Sequence, residues 1–155
     1  MEKLVSYLIE NKLKIATAES CTGGLLASRL TDIPGVSEVF EMGIVSYSNR
    51  IKNEFLGVKS EDLEKYGAVS EAVAKEMSKG AAKKADADIG VGITGIAGPG
   101  GGTIKKPVGT VWLSFYFAKT DENPAYLLSL SGSRAEIRNK TCDEAVKRLK
   151  NHFNI

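Results

Sequence analysis

Leu13-Lys14-Ile15-Ala16-Thr17-Ala18, followed by Glu19-Ser20-Cys21-Thr22-Gly23-Gly24 and then by Leu25, Leu26 and Leu30, is the stretch that decides the fold. Apolar residues alternate over 13–18, with Leu13, Ile15 and Thr17 on one face, which predicts a short strand. Spacing changes to helical after Gly24, and Thr22 is a candidate N-cap. The segment therefore reads strand, tight turn, helix, with Ser20 in the turn. Such a unit belongs in an α/β layer structure.

The same reading extends outward. Leu4, Val5, Leu8 and Ile9 predict an amphipathic helix over 2–12. Residues 38–47 read as a strand with Phe40, Met42, Ile44 and Ser46 on one side. Ser48-Asn49 caps a short helix to Leu56 that carries Lys52, and Gly57 closes it. A polar stretch follows, and Ser70 caps a helix over 71–85. Residues 88–94 read as a strand whose second face, Gly90, Gly92 and Thr94, is bare enough to admit a close neighbour. Strands over 109–118 and 124–130 form a hairpin, and the Ser133/Glu136 capping box starts the last helix. This order predicts one domain over 1–155, a three-layer α/β/α fold with a mixed sheet.

Composition narrows the function. The chain has 155 residues, 43% hydrophobic and 26% charged, which suits a globular core. Net charge is only +2, with acids and bases interleaved, so no nucleic-acid footprint is visible. Apolar runs are too short to span a bilayer and no signal peptide opens the chain, so the expected location is cytoplasmic. Two cysteines, Cys21 and Cys142, make no disulfide framework, and no metal-ligand spacing occurs. The single histidine, His152, reads as a solvated tail residue, so a Ser-His-Asp triad has nothing to use.

Four constellations remain, each with two readings. Ser20 at a strand-to-helix turn is either a raised nucleophile, with the Thr22, Gly23 and Gly24 amides as anion or oxyanion donors, or part of an ordinary cap. Cys21 is a rival nucleophile at the same helix start. Lys52 and Tyr47 are either the base and proton relay that a serine without histidine needs, or a surface lysine and a core-edge tyrosine. Gly90 to Gly95 matches G-x-G-x-x-G, but it lies inside a strand with no helix following, which argues against a dinucleotide fingerprint. Thr94 to Gly102 is either an amide-rich anion nest or a flexible loop. Arg134 and Arg138, four apart, share a helix face that either binds an anion or is solvated.

Taken together, these segments resemble the CinA C-terminal domain family. The stretches that carry the likeness are Ala18-Glu19-Ser20-Cys21-Thr22-Gly23-Gly24, Gly43-Ile44-Val45-Ser46-Tyr47-Ser48-Asn49 with Lys52, and Tyr66-Gly67-Ala68-Val69-Ser70. Thr94 to Gly102, Lys106 to Trp112, and Gly132-Ser133-Arg134 with Ile137-Arg138 complete it in the same order. The resemblance implies a nicotinamide-nucleotide amidase in stand-alone form, or one half of a pair with a pyrophosphatase-like chain. It implies Ser20 as nucleophile, Lys52 and Tyr47 as the base system, and Thr94, Gly95, Gly98, Arg134 and Arg138 as nucleotide contacts. It implies a pyridine nucleotide as the small-molecule partner, no metal or cofactor, and a homodimer. Leu130 stands where relatives often carry an aromatic, which implies an altered pocket wall. The alternative is a non-catalytic nucleotide-binding or protein-interaction module of the competence/damage-inducible type.

Overall fold

The computed structural model describes residues 1–155. In chain order the elements are α1 (Glu2–Glu10), β1 (Ile15–Glu19), α2 (Leu25–Thr31), a 3-10 turn (Val36–Glu38), β2 (Phe40–Val45) and α3 (Asn49–Leu56). Then come α4 (Ser60–Tyr66), α5 (Glu71–Ala85), β3 (Ile89–Gly95), β4 (Thr110–Phe117), β5 (Ala125–Ser129) and α6 (Arg134–Phe153). The five strands form one mixed sheet in the order β2-β1-β3-β4-β5. β2, β1 and β3 run parallel, β4 is antiparallel to β3, and β5 is antiparallel to β4.

Helices cover both faces, which gives the expected three layers. Ile15, Ile89, Val91, Ile93 and Leu113 pack with Leu4, Leu8, Leu26, Leu30, Ile137 and Leu149 in the larger core cluster, on the side of α1, α2 and α6. Ala16 and Ala18 face the other way, against Leu56, Val73, Met77 and Ala81 of α3 and α5. β1 is therefore buried along its whole length, not on one face as the alternation of 13–18 suggests. It is a central strand sandwiched by helices, and such strands lose the in/out pattern.

The bare face of β3 does admit a close neighbour. A side chain at Gly90 would collide with the Ser78 carbonyl, and one at Gly92 with the Ala74 carbonyl, both on α5. The missing Cβ atoms let α5 lie directly on the sheet.

Three expectations need correction. The polar stretch after Gly57 contains a helix, α4, which buries none of its residues and so leaves little apolar periodicity to read. Thr22 is not the N-cap of α2. That position is Gly24, at φ +89°, a left-handed conformation glycine takes at little cost. The strand expected over 38–47 begins only at Phe40 and ends at Val45, because a 3-10 turn, Val36–Glu38, precedes it. By contrast Ser48, Ser70 and Ser133 cap α3, α5 and α6 as their spacing predicts, the last with a complete capping box. No helix is long and apolar enough to cross a membrane.

The topology decides where a site can form. β1 continues into α2 on one face of the sheet, while its neighbour β2 continues into α3 on the other. The chain thus leaves adjacent parallel strands in opposite directions and opens a crevice at their C-terminal ends. Ser20, Tyr47 and Thr94 lie at or just beyond the ends of β1, β2 and β3.

The close approach of α5 is directly testable. Gly92→Ala should lower unfolding free energy by about 1–3 kcal/mol through overpacking, measured by denaturant melts, while Gly100→Ala, where nothing lies within 4 Å and the backbone is not left-handed, should lose less.

Candidate active site

A cavity of about 270 Å³ fills the crevice. Its walls come from the turn after β1 (Ser20, Cys21), the segment after β2 (Tyr47, Lys52), the α4–α5 connection (Ala68, Val69), the end of β3 with its glycine loop (Thr94 to Gly101), and Arg134 at the start of α6. Lys52 and Arg134 are its only charged lining side chains, so no carboxylate offsets their positive field.

Lys52 is the centre of the arrangement. Ser48 caps α3 by accepting from the Ile51 N–H, and this sets the helix direction that sends Lys52 inward. Its side chain is only 1% exposed. Its Nζ lies 3.0 Å from Ser20 Oγ, 2.6 Å from the Ser46 carbonyl and 3.4 Å from the Tyr47 carbonyl. No carboxylate hydrogen-bonds the ammonium, so burial disfavours the charged form and brings the pKa down to about 8. With a pKa of about 8, roughly a tenth of the lysine is the free amine at pH 7 and about half at pH 8, able to accept a proton from Ser20.

Ser20 is held by its backbone as well. Its N–H donates to the Ile93 carbonyl at 2.9 Å, and its carbonyl accepts from the Gly23 N–H at 3.1 Å. The second bond changes the expected oxyanion donors. The Gly23 amide is already used, and Thr22, Gly23 and Gly24 lie outside the cavity wall. Cys21, next to the nucleophile, does line the cavity, and its N–H donates to no other residue.

The first-turn amides of α2 are not free for a ligand either. The Glu19 carboxylate takes those of Leu26 and Ala27 at 3.0 and 2.8 Å. Cys21 is a poor rival nucleophile, since burial pushes its thiol pKa up to about 11 and keeps it protonated.

Tyr47 is not placed as a relay. Its hydroxyl accepts from Arg134 at 3.2 Å, and only its main-chain carbonyl meets Lys52. Lys52 reaches Ser20 without an intermediary. Arg134 also donates to the Gly98 carbonyl at 2.7 Å, tying the glycine loop to the tyrosine across the cavity. Thr94 is buried and donates to the Ala68 carbonyl at 2.8 Å. Arg138 is not brought to the cavity. It donates to the Thr22 carbonyl at 2.7 Å and braces the turn from outside the cavity wall. Leu130 does not line the cavity but packs against the larger core cluster. The structure thus gathers Ser20, Tyr47, Lys52, Thr94, Gly95, Gly98 and Arg134, and leaves Thr22, Gly23, Gly24 and Arg138 at the turn itself.

Sequence reading missed Glu19 as part of this framework. The signal was strand alternation: Glu19 shares the face of Ile15 and Thr17, beneath the start of α2.

The model of the CinA C-terminal domain matches residues 1–153. The chain belongs to the CinA C-terminal domain family. A relative named for competence-damage induction in Acetivibrio thermocellus is 58% identical over 134 residues, covering 86% of this chain but 32% of that protein. A CinA-like protein of Chlorobium limicola is 50% identical over 149 residues, 94% of this chain and 35% of that one. The chain therefore spans about a third of these curated relatives. The crystal structure of competence/damage inducible protein CihA from Agrobacterium tumefaciens has TM-score 0.89 at 40% identity, covering 96% of this chain and 92% of that chain. The competence damage-inducible protein A from Klebsiella pneumoniae has TM-score 0.92 at 33% identity, with 98% and 96% covered. The fold of this CinA-family chain is thus shared across nearly its full length.

The buried lysine has a sign-definite effect on stability. Its folded pKa of about 8 lies below the ordinary 10.5, so the unfolded chain holds more protons between those values and stability rises with pH there. Lys52→Met leaves the Ser46 carbonyl without a donor, but that cost does not titrate. The unfolding free energy of wild type minus Lys52→Met should be flat below about pH 8 and rise towards pH 10.5. Denaturant melts across that range would expose a flat difference if Lys52 were unperturbed.

Proposed function

We propose that this chain is an amidohydrolase that converts the carboxamide of nicotinamide mononucleotide to the carboxylate, giving nicotinate mononucleotide and ammonia. The observation that carries the reading is the 3.0 Å contact between Ser20 Oγ and a buried lysine amine whose pKa is brought down to about 8. Serine needs a base to become a nucleophile, and a desolvated lysine is one of the few that proteins provide.

In this mechanism neutral Lys52 takes the Ser20 proton as Oγ attacks the carboxamide carbon. The tetrahedral oxyanion accepts a hydrogen bond from the Cys21 N–H. Collapse breaks the C–N bond, and the Lys52 ammonium returns its proton to the departing nitrogen, which leaves as ammonia. Water then attacks the acyl-serine with Lys52 again as base, and the acid is released with Ser20 restored. The Ser46 carbonyl, 2.6 Å from Nζ, orients the lysine through both steps.

The cationic cavity suits the phosphate end of the substrate. Arg134 is the charged donor, and the amides of Gly100 and Gly101, which have no protein acceptor, extend a backbone nest beside it. Tyr47 holds Arg134 in place and does not carry the proton. Thr94, Gly95 and Gly98 shape the wall between the two ends.

Ammonia release from nicotinamide mononucleotide tests the reading. Wild type should release it with kcat/KM rising through an acid limb near pH 8. Ser20→Ala should lower kcat by on the order of 10³-fold or more. Full activity of Ser20→Ala would remove the serine mechanism, and binding without ammonia release by wild type would favour a non-catalytic nucleotide module.

A further inference from the structure

Glu19 has no role in the steps above, yet it is completely buried one residue before the nucleophile. Its main chain belongs to the sheet: its carbonyl accepts from the Ser46 N–H at 2.8 Å, and it pairs with Ile93 of β3. Its side chain belongs to the helix. One carboxylate oxygen accepts from the Leu26 N–H at 3.0 Å and the other from the Ala27 N–H at 2.8 Å. Amides in the first turn of a helix have no partner within it and must find one outside. The N-cap Gly24 has no side chain to offer, so Glu19 supplies the cap from the adjoining strand.

Residues 20–24 therefore form a loop closed at both ends by a single residue. The loop includes two glycines in left-handed conformations, Gly23 at φ +59° and Gly24 at φ +89°, so little in its own covalent structure fixes its shape. Ser20 Oγ must nevertheless stay within hydrogen-bond reach of Lys52 Nζ, which is anchored independently on the Ser46 carbonyl.

We propose that Glu19 is a positioning residue: its carboxylate clamps the first turn of α2 to the end of β1 and thereby holds Ser20 Oγ against Lys52 Nζ. The clamp itself is geometric, but its consequence for turnover rests on the amidase reading. The carboxylate does not line the cavity and makes no hydrogen bond to Lys52, so it acts through the loop and not on the reacting atoms. Both oxygens must accept. A glutamine keeps one acceptor but turns an NH₂ towards an amide N–H, and a methionine keeps the length and loses both acceptors.

Two variants and two readouts test the clamp. Glu19→Gln and Glu19→Met are compared with wild type for steady-state ammonia release from nicotinamide mononucleotide. They are also compared for the rate at which a fluorophosphonate probe labels Ser20 per folded molecule. Ser20→Ala marks background labelling, and thermal melts give the folded fraction. A purely structural role would lower the melting temperature without changing the labelling rate of the folded molecules. The clamp predicts that Glu19→Gln slows labelling and kcat together by roughly 10- to 100-fold, with KM changed by less than about threefold. Glu19→Met should be slower still. Wild-type labelling and turnover in folded Glu19→Gln would overturn the proposal, as would a loss expressed only in KM. If wild type is labelled at Ser20 but releases no ammonia, the amidase reading fails and the labelling rates still decide the clamp. If wild type showed neither labelling of Ser20 nor ammonia release, both would be overturned.

Discussion

A lysine amine buried at 1% exposure beside a serine hydroxyl, with no carboxylate bonded to it, is the constraint around which this end of the molecule is arranged. An ammonium is costly to desolvate and a neutral amine much less so. Two main-chain carbonyls, of Ser46 and Tyr47, give the charged form some hydrogen bonding without a counter-charge. The balance leaves a lysine that titrates near the pH at which proteins work, which is what a general base requires.

The rest of the fold supplies the two halves of that contact from different faces of the sheet. β1 and its turn bring Ser20, and β2 with the Ser48-capped α3 brings Lys52. The halves meet because the chain leaves adjacent parallel strands in opposite directions. The bare face of β3 lets α5 lie close, and the larger apolar cluster fixes α2 and α6 on the opposite side. Glu19 joins these levels, since its backbone belongs to the sheet and its side chain caps the helix. Arg138, from α6, holds the outer side of the same turn.

Much of the fold was legible because its signals are local. Ser48, Ser70 and Ser133 announce three helix starts, and the glycines of β3 announce a close neighbour. α4 escaped because it buries nothing, and an unburied helix leaves no apolar stripe to read. Ser20 and Lys52 were nameable from residue type and from the ordered segments that mark the CinA family. Their pairing as nucleophile and base was nameable too, but not that the contact is direct, since residues 32 apart are brought together only by the sheet order. Tyr47 illustrates the limit in the other direction. Its closeness in sequence to Lys52 suggested a shared proton, whereas its exposed ring points its hydroxyl to Arg134. The turn amides misled similarly. Free amides at a helix start are a sound expectation, but Gly23 donates to the Ser20 carbonyl, Thr22 and Gly24 lie outside the cavity wall, and the Glu19 carboxylate takes the Leu26 and Ala27 amides just beyond them.

The most direct measurement is the titration of the Lys52 amine itself, followed by NMR of protein with lysine labelled at Cε and assigned by comparison with Lys52→Met. A single lysine resonance titrating near pH 8, and absent from the variant, is the predicted result. If every lysine, Lys52 included, titrated near the ordinary 10.5, the side chain would be a charged cation at neutral pH and not the base on which this account depends.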